Sequence, residues 1–352
     1  MINLFNYRED TSIGDKYREQ YLSGIDKLID NKRKASSALR NEYIKDIFDN
    51  PEAYRFEYKK MLGFPLTEKR EENLEMKKEF LTSDNGIDIY RVFITVLGCV
   101  PFYGMLFVHS DGKKRPLVIA SHGGLGTPEF AAGLYEGGSA NYNSMIERIV
   151  SKDVNVFAPQ LLLWDVKRFK CSDKDGPITE QDKMRRARDN DLKQLGMSIT
   201  SVEIYCMQCA LDCLEKESFV DKKKIGMAGL SYGGFYTLYT AACDTRIKSA
   251  VACSHFNDRC KYDWSDYVWD NSAHKFLDAE VLCLVYPRKM YIEVGAGDEL
   301  FDFKSAEKEF GRFENIVGEK NDFAKLKVFD GTHEFYVDDD FVDRMTNDLK
   351  NI

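Results

Sequence analysis

One stretch of nine residues restricts the fold of this chain more than any other: Gly226-Met227-Ala228-Gly229-Leu230-Ser231-Tyr232-Gly233-Gly234. Ile225 to Ala228 is short and apolar, as a buried strand would be, and Phe235 to Ala242 continues as an apolar helix. Between them Gly229 and Gly233 flank Ser231 in the pattern Gly-x-Ser-x-Gly. The glycines leave room for a turn too sharp to admit side chains beside the serine. Such a turn holds the serine in a strained backbone conformation and pushes its hydroxyl beyond the end of the strand.

Further apolar runs place the other strands. Residues 87–96 and 102–108 read as a hairpin of the first two, and 117–121 as the third. A helix around residues 142–151 leads to the fourth at 154–159. Residues 225–230, 249–254, 290–294 and 325–329 supply the fifth to eighth. Strands that alternate with helical segments predict an α/β chain, with a mostly parallel eight-stranded sheet and helices on both faces. Ligands of such sheets bind at the carboxyl ends of the strands. Residues 1–80 stand apart: they are charged, carry Tyr21, Leu22, Ile25, Leu28 and Ile29 at helical spacing, and are interrupted by Pro51 and Pro65. They predict an N-terminal helical extension that packs on the catalytic domain, 81–352, and is a candidate homo-oligomer interface. Two insertions, 161–200 and 255–287, are long enough to act as lids over the site.

A nucleophilic serine needs a base, and the base needs a group to orient it. Where this turn occurs, the partners follow in the order serine, acid, histidine. Of the five histidines, His333 alone lies far enough downstream, on the loop leaving the last strand. The acid should leave the strand before it. Asp298, in Gly295-Ala296-Gly297-Asp298, takes that place, with Glu299 and Asp302 as alternatives. The oxyanion also needs donors. The third strand runs into His122-Gly123-Gly124-Leu125-Gly126, whose small residues let backbone N–H groups approach a substrate carbonyl; Gly123 and Gly124 are the candidates there. The N–H of Tyr232, next after the serine, is the second donor, and His122 reads as a loop-holding residue.

On these residues, His122-Gly123-Gly124, Gly229 to Gly234, Asp298 and His333, the chain resembles the α/β-hydrolases, in the branch of acetyl xylan esterase-like, dienelactone hydrolase-like and prolyl-oligopeptidase-like enzymes. The likeness covers roughly residues 81–352. It implies a serine carboxylic-ester hydrolase working through an acyl-enzyme on a small polar or carbohydrate ester, with no cofactor and no metal. Peptidase or amidase activity, acyl transfer to an alcohol and a non-catalytic binding role are the alternatives. The extension is too short for the β-propeller of prolyl-oligopeptidases, which disfavours the peptidase. Leu125 interrupts the glycines of the third-strand loop, so the N–H that completes the oxyanion hole stays open. In the second insertion Tyr262, Trp264, Tyr267 and Trp269 suit a sugar or aryl group, Trp264 and Trp269 foremost, although lid core is the commoner use for such rings. Arg185, Arg186 and Arg188 read as a helix surface.

With 352 residues and 43% hydrophobic content, the chain can bury a large core. A net charge of −8 argues against a nucleic-acid surface. The first ten residues lack a secretory pattern, and no stretch is long and apolar enough for a membrane span, so a soluble cytoplasmic protein is expected. Nine cysteines without a secretory signal fit reduced thiols. Cys206, Cys209 and Cys213 share a helix face but lack a fourth ligand nearby, and read as buried core.

Overall fold

The computed structural model describes Tyr7 and residues 9–65, 70–134, 140–162 and 177–352. Among them a single sheet is built from β1 (Met76–Asp84), β2 (Ile87–Val96), β3 (Val100–His109), β4 (Arg115–Ser121), β5 (Asn155–Pro159), β6 (Val220–Leu230), β7 (Ile247–Cys253), β8 (Lys289–Gly295) and β9 (Ala324–Phe329). Their spatial order is β1-β2-β3-β5-β4-β6-β7-β8-β9. The six strands from β5 to β9 run parallel, and β1 to β3 form an antiparallel edge. The helices are α1 (Thr11–Tyr43), α2 (Pro51–Leu62), α3 (Pro128–Ala131), α4 (Met145–Val150), α5 (Pro177–Gln194), α6 (Ile199–Leu214), α7 (Tyr232–Cys243), α8 (Ser272–Lys275), α9 (Asp278–Cys283), α10 (Phe303–Val317) and α11 (Asp340–Lys350).

Alternation along the parallel strands divides the core in two, as the pleat requires. Leu117 and Ile119, Ile225 and Met227, Ala250 and Ala252, and Ile292 and Val294 face the layer formed with α2, α6, α7, α9 and α10. Val118 and Ala120, Ala228 and Leu230, and Val251 and Cys253 face α4 and α11. The sheet is therefore covered on both faces, which explains why its central strands read as continuous apolar runs.

Each of the eight expected strands is present, and the sheet has one more. Met76–Asp84, half of which fell within the expected helical extension, is instead an edge strand on β2. Its side chains are mostly exposed, so no apolar alternation marks it. The strand expected over 225–230 starts earlier: the charged run Asp221 to Lys224 belongs to β6, which begins at Val220 opposite Arg115. Of the first insertion, residues 163–176 lie outside the described residues, and α5 and the start of α6 make up most of the rest. The second insertion folds as short helical turns, α8 and α9.

Within the N-terminal extension α2 packs into the core through Tyr58 and Leu62, whereas α1 is anchored at one end only. Residues 11–35 of α1 are exposed apart from the half-buried Gly14, and burial begins at Ser36. There Arg40 ties the helix down, donating to Glu280 Oε1 at 3.1 Å and to the Ala273 carbonyl at 2.6 Å.

Candidate active site

Ser231 sits between β6 and α7 with φ 59° and ψ −120°, outside the regions open to most residues. Strain of this kind costs on the order of 1–3 kcal/mol and persists where the surroundings over-determine it. The surroundings are visible. The Ser231 N–H donates to the Cys253 carbonyl at 2.8 Å, fastening the turn to the end of β7. A Cβ on Gly233 would lie 2.0 Å from the Ser121 carbonyl oxygen, so α7 can leave this close to β4 only because residue 233 has no side chain.

Asp298 and His333 come together because the loops leaving β8 and β9 are joined along their backbones. Ala296 N–H donates to the Phe329 carbonyl and Gly297 N–H to the Gly331 carbonyl, both at 2.8 Å. A Cβ on Gly295 would lie 2.3 Å from the Thr332 carbonyl oxygen, so this approach also depends on a glycine. The result is a 2.8 Å contact between His333 Nδ1 and Asp298 Oδ2. Asp298 is 7% exposed, and its Oδ1 accepts from the N–H groups of Leu300 at 2.8 Å and Phe301 at 2.9 Å. A carboxylate committed to these backbone donors holds its other oxygen toward the imidazole. The Phe301 ring stacks on His333 at 5.7 Å and fixes the plane of the base. Of the alternative acids, Glu299 is exposed, and Asp302 is exposed and caps α10 through the Lys304 N–H.

The loop of His333 is tied to the end of β7 as well. Cys253 Sγ and Ser254 Oγ both donate to the Glu334 carbonyl, at 3.1 and 3.2 Å. Because the Ser231 N–H also rests on Cys253, one strand end carries both the serine turn and the histidine loop.

The two glycines of the β4 loop differ. Gly123 N–H already donates to the Tyr142 hydroxyl at 2.8 Å, which removes it as a free oxyanion donor and corrects the expectation from sequence. Among the described residues the Gly124 N–H has no hydrogen-bond acceptor. Tyr232 is the first residue of α7, so its N–H precedes the helix's own hydrogen bonds. His122 is fully buried, and its Nε2 accepts from the Leu161 N–H at 3.0 Å while Nδ1 lies 2.8 Å from the Gly123 carbonyl. Burial pushes its imidazole down to about 4, so it is neutral and holds the loop.

Two further side chains depart from expectation. Trp269 is 7% exposed and stacks on Phe235 with the rings 2° from parallel, so the lid core has taken it up and it presents no face to a ligand. Trp264 is half-buried and stacks on Tyr232 at 5.9 Å, beside the serine. Arg185, read as a helix-surface residue, is 3% exposed. Its guanidinium donates to Asp266 at 2.6 Å, Glu203 at 3.1 Å, Tyr236 OH at 2.7 Å and the Leu162 carbonyl at 2.9 Å, and lies 5.3 Å from the Tyr232 ring centre. It thereby ties both insertions to α7. No single segment signals it, because the acids that neutralise it come from α6 and from the 255–287 segment. Arg188 is exposed, as a surface residue should be. Cys206, Cys209 and Cys213 are buried free thiols, and desolvation pushes Cys209 up to about 12. A cavity of about 1120 Å³ opens between α2 and α6, and none of Ser231, Asp298 or His333 lines it.

No family model matches the chain. Among solved structures, the glucuronoyl esterase from Solibacter usitatus superposes with a TM-score of 0.61 at 13% identity, over 84% of this chain and 91% of that one. Acetyl xylan esterase 1 from Thermoanaerobacterium sp. JW/SL YS485 gives 0.54 at 14% identity, over 84% and 93%. The chain has the α/β-hydrolase fold. Within this α/β-hydrolase fold, Ser231, Asp298 and His333 all sit just beyond the carboxyl ends of parallel strands. A curated relative named "Putative hydrolase YtaP", from Bacillus subtilis (strain 168), is 29% identical over 139 residues. That match spans 36% of this chain and 46% of the relative, so it covers under half of the relative's length. Among the described residues no helix is long and apolar enough to cross a membrane.

Proposed function

We propose that the chain is a serine carboxylic-ester hydrolase that works through an acyl-enzyme. The observation that carries this reading is the Asp298–His333 contact of 2.8 Å, joined through Cys253 to a serine held at φ 59°. His333 Nε2 takes the proton of Ser231 Oγ as that oxygen bonds to the ester carbonyl carbon. The carbonyl π pair moves onto oxygen, where the N–H groups of Tyr232 and Gly124 receive it. The tetrahedral intermediate collapses, the C–O bond to the alcohol breaks, and His333 returns its proton to the leaving oxygen. Water, deprotonated by His333, then releases the acid and restores Ser231. Asp298 keeps the imidazole in the tautomer with hydrogen on Nδ1 and stabilises the imidazolium when it forms.

The substrate we assign is a small polar or carbohydrate ester. Support comes from the half-buried Trp264, stacked on Tyr232 beside the serine, and from neighbours of the same fold named as glucuronoyl and acetyl xylan esterases. The test is hydrolysis of p-nitrophenyl esters of increasing acyl length by the wild type and by Ser231→Ala. Turnover of the short acyl chains that is lost in the variant is the expected result. A folded wild type without Ser231-dependent turnover would overturn the proposal, and turnover of aminoacyl amides in its place would favour an amidase.

A further inference from the structure

The free part of α1 poses a physical problem that the hydrolase site leaves untouched. It is a helix of 25 residues, 11–35, about 37 Å long, with no buried side chain. Isolated helices are marginal in water, and helices in proteins draw most of their stability from packing one apolar face. Such a face exists here and is bare. Ile13, Tyr17, Tyr21, Leu22, Ile25, Leu28 and Ile29 are 38–75% exposed and recur at intervals of three and four residues, on one half of the helix. Asp15, Lys16, Glu19, Asp26, Lys27 and Asp30 fall on the other half, and Arg18, between Ile25 and Ile29 on the apolar half, reaches out of the stripe to Asp15. The stripe presents roughly 700 Å² of side-chain surface, which matches the ~800 Å² per partner of a standard interface and exceeds the patch usual on a monomer.

We propose that α1 is a dimerisation arm whose partner is a second copy of this chain, the two arms packing antiparallel about a two-fold axis at Tyr21. An isologous contact must be complementary to itself, and this stripe is. In that register Tyr21 faces the partner's Tyr21, Tyr17 the partner's Ile25 and Ile13 the partner's Ile29. Leu28 faces the partner's Gly14, over which the exposed Arg18 guanidinium lies 3.2 Å from the place of a Cβ and has to swing aside in this register. Charges match at the ends. The arm begins with Glu9 and Asp10 and finishes with Lys32, Arg33 and Lys34; Arg33 also donates to the Cys260 carbonyl of its own chain at 3.3 Å, so the charge match rests mainly on Lys32 against the partner's Asp10. The antiparallel arrangement also sets opposite helix dipoles side by side. The overlap runs from residue 9 to residue 33, stopping short of Ser36, where α1 enters its own body. Arg40, Ser37 and Asn41 hold that root against Glu280 and Arg312, which gives the arm a defined direction.

The full chain tests this by size-exclusion chromatography with light scattering. The expected mass is twice the 40.6 kDa of one chain. Tyr21→Glu with Ile25→Glu should raise the dissociation constant on the order of 100-fold or more, giving monomer, with ester turnover intact. Lys32→Glu should weaken the dimer, and adding Asp10→Asn, which keeps the cap on Ser12 N–H and removes the repulsion, should restore it in part. Under mild oxidation Tyr21→Cys should cross-link to its own copy, and Asp26→Cys, on the outer half, should not. A wild type of 40.6 kDa at high micromolar concentration overturns the proposal, as does a dimer indifferent to the two glutamates. A monomer that co-sediments with anionic phospholipid vesicles would overturn it too, and would give the stripe to a membrane surface.

Discussion

Replacing Asp298 by Asn changes almost no volume, and the consequence can be worked out from three hydrogen bonds. The carboxylate accepts from Leu300 N–H, Phe301 N–H and His333. An asparagine has one accepting oxygen and one donating NH₂, so one side must change. If the oxygen turns to His333, the NH₂ confronts two backbone donors, and the buried one, Phe301 N–H, left without an acceptor costs about 1–3 kcal/mol. If the oxygen stays on the backbone, the NH₂ faces His333 Nδ1, which must become an acceptor. The second arrangement is the cheaper. It moves the imidazole proton to Nε2, where the ring can no longer take a proton from Ser231. The expected result is a fall in kcat of roughly 10³–10⁴-fold, about 4–5.5 kcal/mol of barrier, with KM changed by less than about threefold. Steady-state kinetics on p-nitrophenyl acetate reads this directly, with thermal unfolding showing that the fold is kept. A folded Asp298→Asn enzyme within about tenfold of wild type would refute the assignment of Asp298 as the orienting acid.

The glycines of the site should divide sharply. Gly233→Ala drives a methyl to 2.0 Å from the Ser121 carbonyl oxygen and should cost more than about 3 kcal/mol in denaturant unfolding, whereas the Gly124 methyl would meet only the Tyr232 ring at 3.6 Å and Gly124→Ala should fold as wild type. Equal stability of the two would refute the close packing of the turn. Glu293, buried on β8, has its carboxyl pushed up to about 8 by desolvation. The folded chain therefore keeps a proton that the unfolded chain loses near its ordinary value of 4.5, and stability should fall as pH rises between the two, by up to about 1.4 kcal/mol per pH unit for this group. Glu293→Gln should flatten that part of the urea-unfolding profile, and an unchanged slope would contradict the shift. Arg185→Met leaves Glu203 and Asp266 buried without their cation and should cost roughly 3–5 kcal/mol in thermal unfolding. A loss below about 1 kcal/mol would contradict the network.

What was legible in the sequence was what steric and periodic rules write locally. The glycines beside Ser231 are there because β4 and α7 leave no space, so the turn is visible without a structure. Asp298 and His333 follow from strand order, since both loops leave strands that announce themselves as apolar runs. The features that escaped depend on residues distant in sequence. Tyr142 takes the Gly123 N–H from 19 residues downstream, and nothing near Gly123 signals it. Arg185 looks like surface because its own helix is charged, and its burial depends on acids 18 and 81 residues away. Trp269 was an aromatic in a lid, and only its face against Phe235 reveals that it is core. The strand Met76–Asp84 is set by pairing with β2 and not by its own pattern.

The claim on which the rest stands is that Ser231 is the nucleophile, and a fluorophosphonate tests it most directly. The reagent should inactivate the enzyme in proportion to the incorporation of one phosphonyl group, and peptide mass spectrometry should place that group on Ser231. Ser231→Ala should neither label nor turn over esters. Inactivation with the adduct on another residue, or full labelling and turnover in Ser231→Ala, would contradict the account.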